Sequence, residues 1–446
     1  MKIKLFFIGL LGILYSCQQQ NEIEIRKEVS TKVKLTPEEY LSILSYGNNN
    51  LSKIEAVNIV EEFVKDKPSS RVGFRNKIYI KDETFLNRVQ SRSTSHIPIY
   101  NIVVENEEGR NIAIVSGDKR FPSVIAYFRE PDEKHSLVDT NGLLIDMAKS
   151  AFLDNIAIVE NLQDSLGEST LQKLSSELNI EINEINYESL KSHITVVNPT
   201  TRSTIIKDPD ASLSRFGPFI NVSWDIGMPY NRLMAQSCPD NWLWDNRYPI
   251  SSAVVAVAQV MSMFEPMMVA NGTSINWPYL KEKPEIHEET DYFGQYVQDP
   301  LDKRNMVSNL MLYIGSQCGV IYSCSSSTAN MGKIIDFLKR YNIFVNNVES
   351  FNASILKRTL DDIYPVIMTG LTNENANHIW VVDGYCSKVS TRGDTFFPGF
   401  DIYMHANMGM GNNYNGYYLV GSDGMLTFDT TFAHFTKNLR MYSVRR

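Results

Sequence analysis

Hydrophobic and polar positions fall into distinct regimes along the chain. An apolar run from Leu5 to Leu14 follows Met1-Lys2-Ile3-Lys4 and ends in Tyr15-Ser16-Cys17. It is too short to span a bilayer permanently and has the layout of an export signal. Residues 18–50 are polar and charged, which predicts a tether. From Leu51 the pattern turns helical: Ser52-Lys53-Ile54-Glu55 is a capping-box signature, and Val57, Val60, Phe63 and Val64 share one face. Residues 71–91 are basic and weakly patterned, predicting a hairpin and loop. Strand-like runs follow at Ile99–Val104, Ile112–Asp118 and Val124–Tyr127, with a turn at Asn106–Gly109, so an antiparallel meander is expected with helices at both ends. Leu143–Ile156 predicts a helix, and helical character returns around Ser165–Leu178. Residues 200–215 are polar and aperiodic and precede Phe216-Gly217-Pro218, as an inter-domain linker would; Arg202, Lys207 and Arg215 make it cleavable in principle.

The most informative stretch of the second half is Ser251-Ser252-Ala253-Val254-Val255-Ala256-Val257-Ala258-Gln259-Val260-Met261. Pro249 excludes helix immediately before it, so the two serines stand where a helix N-cap belongs. The small and aliphatic side chains that follow describe a helix buried on nearly every face. A small polar group at such an N-terminus sits where unpaired N–H groups and the helix dipole stabilise an anion, although an ordinary serine cap has the same pattern. Asn377-His378-Ile379-Trp380-Val381-Val382-Asp383-Gly384-Tyr385 predicts a buried strand with a histidine at its start and a turn at its end.

Composition narrows the class. The 446 residues are 43% hydrophobic and 21% charged, enough for two or three domain cores. A net charge of −8 without a long basic run argues against nucleic acid as a partner. Export would put Cys238, Cys318, Cys324 and Cys386 in an oxidising compartment, where three pairings are open. Their spacing suits no usual zinc pattern, so no metal is expected, and nothing implies a cofactor.

Leu14-Tyr15-Ser16-Cys17 resembles a bacterial lipobox, which implies cleavage before Cys17, lipidation of its thiol and anchoring of the exported protein to the membrane of the cell envelope. The helix at Ser252 and the strand at His378 together resemble the streptopain family of papain-like cysteine peptidases. So do Trp224-Asp225-Ile226-Gly227-Met228-Pro229-Tyr230-Asn231, Gly272–Trp277, Met311–Met331 and His405–Tyr418, in that order. Ile114-Val115-Ser116-Gly117-Asp118 through Val124-Ile125-Ala126-Tyr127 resembles the inhibitory prodomain of such zymogens, also found as a free streptopain-inhibitor domain. The resemblance implies an α+β chain: a signal over 1–17, a tether over 18–50, a prodomain-like module over 51–200, a linker over 201–215 and a two-lobed papain-like domain over 216–446, with a helical half against a twisted antiparallel sheet.

Aligned on that pattern, the nucleophile column falls on Ser252, where the family has cysteine. His378 falls on the base, Asn407 on the asparagine that orients it, and Ile226 on the glutamine of the oxyanion hole. Met408 and Met410 stand where the family has tryptophans. A thiol ionises readily beside an imidazolium and a helix N-terminus, whereas a hydroxyl does not. An aliphatic side chain offers no hydrogen to an oxyanion, and losing one such donor costs about 10²–10³ in rate. The leading expectation is a degenerate peptidase whose cleft binds a peptide, a partner polypeptide or its own prodomain. The alternatives are an active peptidase using Ser252 and His378, a chain whose nucleophilic cysteine was replaced, and a surface module that binds polysaccharide or protein through exposed aromatics of the Trp242 and Tyr414 loops.

Overall fold

The computed structural model describes residues 32–44, 46–65, 76–89, 94–107, 109–137, 140–197, 213–240, 242–289, 298–325, 327–346, 348–371, 377–392, 395–424 and 439–446. The expected export signal, Cys17 and residues 201–212 of the expected linker lie outside them.

Ordered structure begins before Leu51, within the stretch read as tether. Strand β1 (Val33–Leu35) leads into helix α1 (Pro37–Ile43), whose start is fixed by a reciprocal cap. Thr36 Oγ1 accepts the Glu39 N–H at 3.2 Å, the Glu39 carboxylate accepts the Thr36 N–H at 2.7 Å, and Pro37 presets φ for the first turn. Helix α2 (Lys53–Val64) carries the capping box read from Ser52 and Glu55. The meander follows as β2 (Lys77–Val89), β3 (Thr94–Asn106), β4 (Gly109–Ser116) and β5 (Val124–Arg129), paired in sequence and antiparallel.

Where two helical segments were expected, one helix, α3 (Gly142–Leu178), runs unbroken for 37 residues. No proline interrupts it, and its internal Gly167 lies against the Tyr46 side chain, where a Cβ would stand 3.4 Å from the hydroxyl. Asn179 ends it in the left-handed conformation at φ 53°. The short α4 (Tyr187–Leu190) and β6 (Ile194–Val196) return the chain to β1, which pairs with β6 in parallel. Val33, Leu35, Tyr40, Leu41, Leu171, Leu174 and Ile194 form a second, smaller core at this end of α3.

The remaining chain contributes β7 (Leu213–Phe216), α5 (Ser252–Phe264), the hairpin β8 (Val269–Ala270) and β9 (Thr273–Ser274), α6 (Trp277–Leu280), α7 (Leu301–Gln317) and α8 (Met331–Lys339). Then come β10 (Phe344–Val345), β11 (Glu349–Ser350), α9 (Ala353–Asp361), β12 (Val366–Leu371), β13 (Asn377–Arg392), β14 (Thr395–Asn407), β15 (Gly416–Gly424) and β16 (Arg440–Arg445). Helix α5 packs on β13 and on α7. The end of the expected linker is the strand β7, whose Leu213–Phe216 pair with Lys388–Tyr385 of β13.

The α+β expectation holds, but the two sheets it anticipated are one. The strands run β10-β16-β12-β13-β14-β15-β5-β4-β3-β2, with β11 added at β16 and β7 at β13. The amino-terminal module joins the carboxy-terminal domain where β15 pairs with β5, at Gly416↔Phe128, Tyr417↔Tyr127 and Tyr418↔Ala126. Gly416 permits this approach: a Cβ there would lie 2.2 Å from the Tyr127 carbonyl oxygen. One apolar core passes beneath the seam, from Phe63, Ile102 and Phe152 to Trp224, Val255 and Trp380. Of the three cysteine pairings left open by sequence, the structure forms Cys238–Cys324; Cys318 and Cys386 are buried free thiols.

Candidate active site

Helix α5 and strand β13 bring the two most conspicuous motifs together. Ser251 is the N-cap of α5 without a side-chain capping bond, and Ser252 is the first helical residue. The Ser252 hydroxyl oxygen accepts the backbone N–H of Ile379 at 3.3 Å. It thus touches the strand of His378, one residue along from the imidazole. Among the described residues no hydrogen bond joins Ser252 to the His378 ring.

His378 lies inside the protein, 6% exposed. Its Nε2 is 3.2 Å from the Met408 carbonyl oxygen, an acceptor only, so Nε2 carries the proton and donates it there. The ring stacks on Trp380 at 6.0 Å. Burial without a nearby carboxylate pushes its pKa down to about 4, so the imidazole is neutral at pH 7. Across the ladder His378 pairs with Gly370. There the first turn of α3 presses in: a Cβ on Gly370 would stand 2.4 Å from Leu143 Cδ2.

Asn407 serves a different pair of partners from the one its column implies. Its Nδ2 donates to the Val222 carbonyl at 2.8 Å, and its Oδ1 accepts from Gln259 Nε2 at 2.8 Å and from the Gly409 N–H at 3.4 Å. Gln259, fully buried inside α5, is held by this contact. Asn407 therefore ties α5 to β14 and does not orient His378. The Met408 carbonyl takes the place facing the imidazole.

At the oxyanion column, the Ile226 side chain is buried and its own N–H is engaged by Asp225 Oδ1 at 2.5 Å. Met408 and Met410 are both buried. Tyr414, expected to be an exposed aromatic, is also buried, because its hydroxyl donates to the His135 carbonyl at 2.8 Å. The side chain of Trp242 lies outside the described part.

Sequence reasoning passed over a second cluster. His135 Nδ1 is 2.7 Å from Asp132 Oδ1 and its Nε2 is 3.0 Å from Asp225 Oδ2, with Trp244 edge-on at 5.8 Å. Asp225 lies in the quoted Trp-Asp-Ile motif, but nothing in the local pattern around His135 marks it. A groove of about 1110 Å³ opens here, lined by Arg129, Asp132, His135, Asp225, Glu285 and Asn412 among others. The quoted motifs also held a pair not recognised as such: His405 Nδ1 meets Asp383 Oδ1 at 2.6 Å, while Asp383 Oδ2 accepts the Ile220 N–H at 3.1 Å. That contact anchors the strand end rather than the Ser252 site.

Residues 224–418, which hold Ser252, His378, Asn407 and Ile226, match the model of the Peptidase C10 family. This part of the chain is thus similar to the streptopain type of cysteine peptidase. The C10 match begins at the Trp224 motif and ends in β15, so it takes in every piece of the candidate site. A mutant fragment of prointerpain A from Prevotella intermedia aligns with 82% of this chain and 98% of its own, at 16% identity and a TM-score of 0.42. The active wild-type interpain A cysteine protease of the same organism aligns with 54% of this chain and 98% of its own, at 18% identity and a TM-score of 0.33. No curated protein matches the chain.

Proposed function

We propose that this chain is a C10-type protein that has given up peptide hydrolysis and keeps the cleft region for binding polypeptide. The observation that carries the reading is that, among the described residues, no hydrogen bond joins Ser252 to the His378 ring: Ser252 Oγ accepts the Ile379 N–H, and His378 Nε2 donates to the Met408 carbonyl. Acyl transfer from serine needs a base that takes the hydroxyl proton during attack, and a base is effective when its pKa lies near the working pH. An imidazole held near pKa 4 is a weak acceptor at pH 7. Ile226 supplies no side-chain donor to a tetrahedral oxygen. Both features tell against the alternative of a working Ser252/His378 peptidase.

The test is direct. Purified protein is incubated at pH 7 with an unstructured protein substrate, and separately with serine- and cysteine-directed active-site probes. Intact substrate and no adduct at Ser252 are expected; an acyl adduct on Ser252 with peptide release would overturn the reading. We further propose that the protein is exported and lipid-anchored through Cys17. Mass spectrometry of the membrane fraction should find a diacylated amino-terminal Cys17, and an uncleaved soluble chain would refute it.

A further inference from the structure

His135 is 4% exposed and stands between two carboxylates that come from opposite sides of the module seam. Asp132, three residues earlier in the amino-terminal module, accepts from both the His135 backbone N–H at 2.8 Å and Nδ1 at 2.7 Å. Asp225, in the C10 domain, takes Nε2. Carboxylates only accept, so a ring bonded to one at each nitrogen needs both protons and is an imidazolium. The preceding residue joins in: Lys134 Nζ lies over the Trp244 ring at 4.4 Å, where Gly227 leaves room, since a Cβ there would fall 2.8 Å from Trp244 Cε3. Two successive cations of the module thus sit on an acidic and aromatic surface of the C10 domain.

We propose that His135 is a proton-operated fastener: doubly protonated, it clamps Asp132 of the module to Asp225 of the C10 domain, and loss of one proton loosens the module at the charged groove. The other bonds across the seam beside it are made by backbone and amide groups, although the Arg129 guanidinium also lines the groove. Arg129 and Tyr414 exchange backbone bonds with the strand connection, the Arg129 N–H with Asn415 at 2.9 Å and the Tyr414 N–H with Arg129 at 3.1 Å. Asn413 Oδ1 accepts the Asp132 N–H at 2.9 Å, and its Nδ2, 3.1 Å from His135 Nδ1, has the Met410 carbonyl at 2.9 Å to donate to, which leaves the Nδ1 proton to Asp132.

Other ionisable groups face the cluster from each packed element. Glu133 and Lys134 come from the same turn, Asp245 from beside Trp244, Glu285 from the neighbouring loop and Tyr230 from behind Asp225. Burial raises Glu285 above its ordinary value and holds Tyr230 well above its own, so Tyr230 stays neutral throughout the range tested. The hydrogen bonds and charges of Asp132 and Asp225 outweigh desolvation and raise His135 to about 9. A histidine with a raised folded pKa contributes its full stabilisation below about 6.5 and loses it as pH rises through 9.

The experiment uses the full chain. Of its seven histidines, one ring should titrate near pH 9 by NMR. Hydrogen exchange of peptides spanning 124–137 and 408–418, corrected for intrinsic chemistry, should lose protection by about tenfold or more between pH 7 and 10. Asp225→Asn should move that midpoint downward, and His135→Gln should remove the pH dependence. No ring titrating above pH 8, or a His135→Gln protein whose seam follows the wild-type profile, would overturn the fastener. The ring titration decides even if His135→Gln fails to fold. Neither outcome depends on whether Ser252 is reactive.

Discussion

The hydroxyl of Ser252 and the backbone N–H of Ile379 meet at 3.3 Å across 127 residues of sequence. That bond gives the N-terminus of α5 a partner on β13 and occupies a lone pair of the only hydroxyl in the nucleophile column. Replacing the oxygen with sulfur tests how much of the site's reactivity is set by that atom. Ser252→Cys should alkylate slowly, with a thiol pKa at or above the ordinary value near 8.5, and should show no peptide turnover. Measuring iodoacetamide rates against pH checks this; a thiolate reacting at pH 5–6 would show that the site still activates its nucleophile.

His378 sets the acid side of the stability profile. Its folded pKa, near 4, lies below the unfolded value near 6.5, so the unfolded chain binds more protons between those limits and stability falls as pH drops through them. The full difference is about 3 kcal/mol for this buried ring. Urea unfolding from pH 7 to 4 should reveal it, and His378→Gln should flatten the slope. An unchanged slope in that variant would show that other groups dominate.

Gly370 of β12 and Leu143 of α3 form a close contact. Gly370→Ala should cost about 1–3 kcal/mol, because a Cβ would lie 2.4 Å from Leu143 Cδ2 and that buried side chain must leave its rotamer to make room. In a Leu143→Ala background the cost of Gly370→Ala should be smaller. A double-mutant cycle with no coupling would mean that α3 does not press on the strand beside His378.

Asn407 is predicted to act structurally. Asn407→Ala removes partners from Gln259 and the Val222 carbonyl inside the core and should destabilise by about 2–4 kcal/mol. It should leave the titration of His378 unmoved, as read by the ring's NMR shift. A large change there would return Asn407 to the orienting role its column implies.

Cleavage within residues 201–212 should not separate the two parts. The β5–β15 ladder and the shared core remain after a cut, so the fragments should co-elute in size-exclusion chromatography and part only in denaturant. Spontaneous separation at neutral pH would show that the seam depends on chain continuity.

Local signals determined much of this protein. The buried helix after Ser251, the strand opening at His378 and the meander from Ile99 to Tyr127 were legible because side-chain periodicity and capping residues act over a few positions. The reciprocal Thr36/Glu39 cap was legible by the same rule, though it stood inside a stretch read as tether. The family columns likewise named Ser252, His378, Asn407 and Ile226, since each lies in a short motif. Tertiary structure alone decided their partners. Asn407 turned to Gln259 and Val222, His378 to the Met408 carbonyl, and Tyr414 inward to His135, because a buried polar group takes whichever partner packing brings within reach. Packing likewise united two expected sheets through Gly416 and set His135 between Asp132 and Asp225. Apart from Asp132, three positions before His135, and Met408, 30 after His378, those relations join residues roughly 90 to 290 positions apart, and no periodicity or spacing encodes a contact at that range.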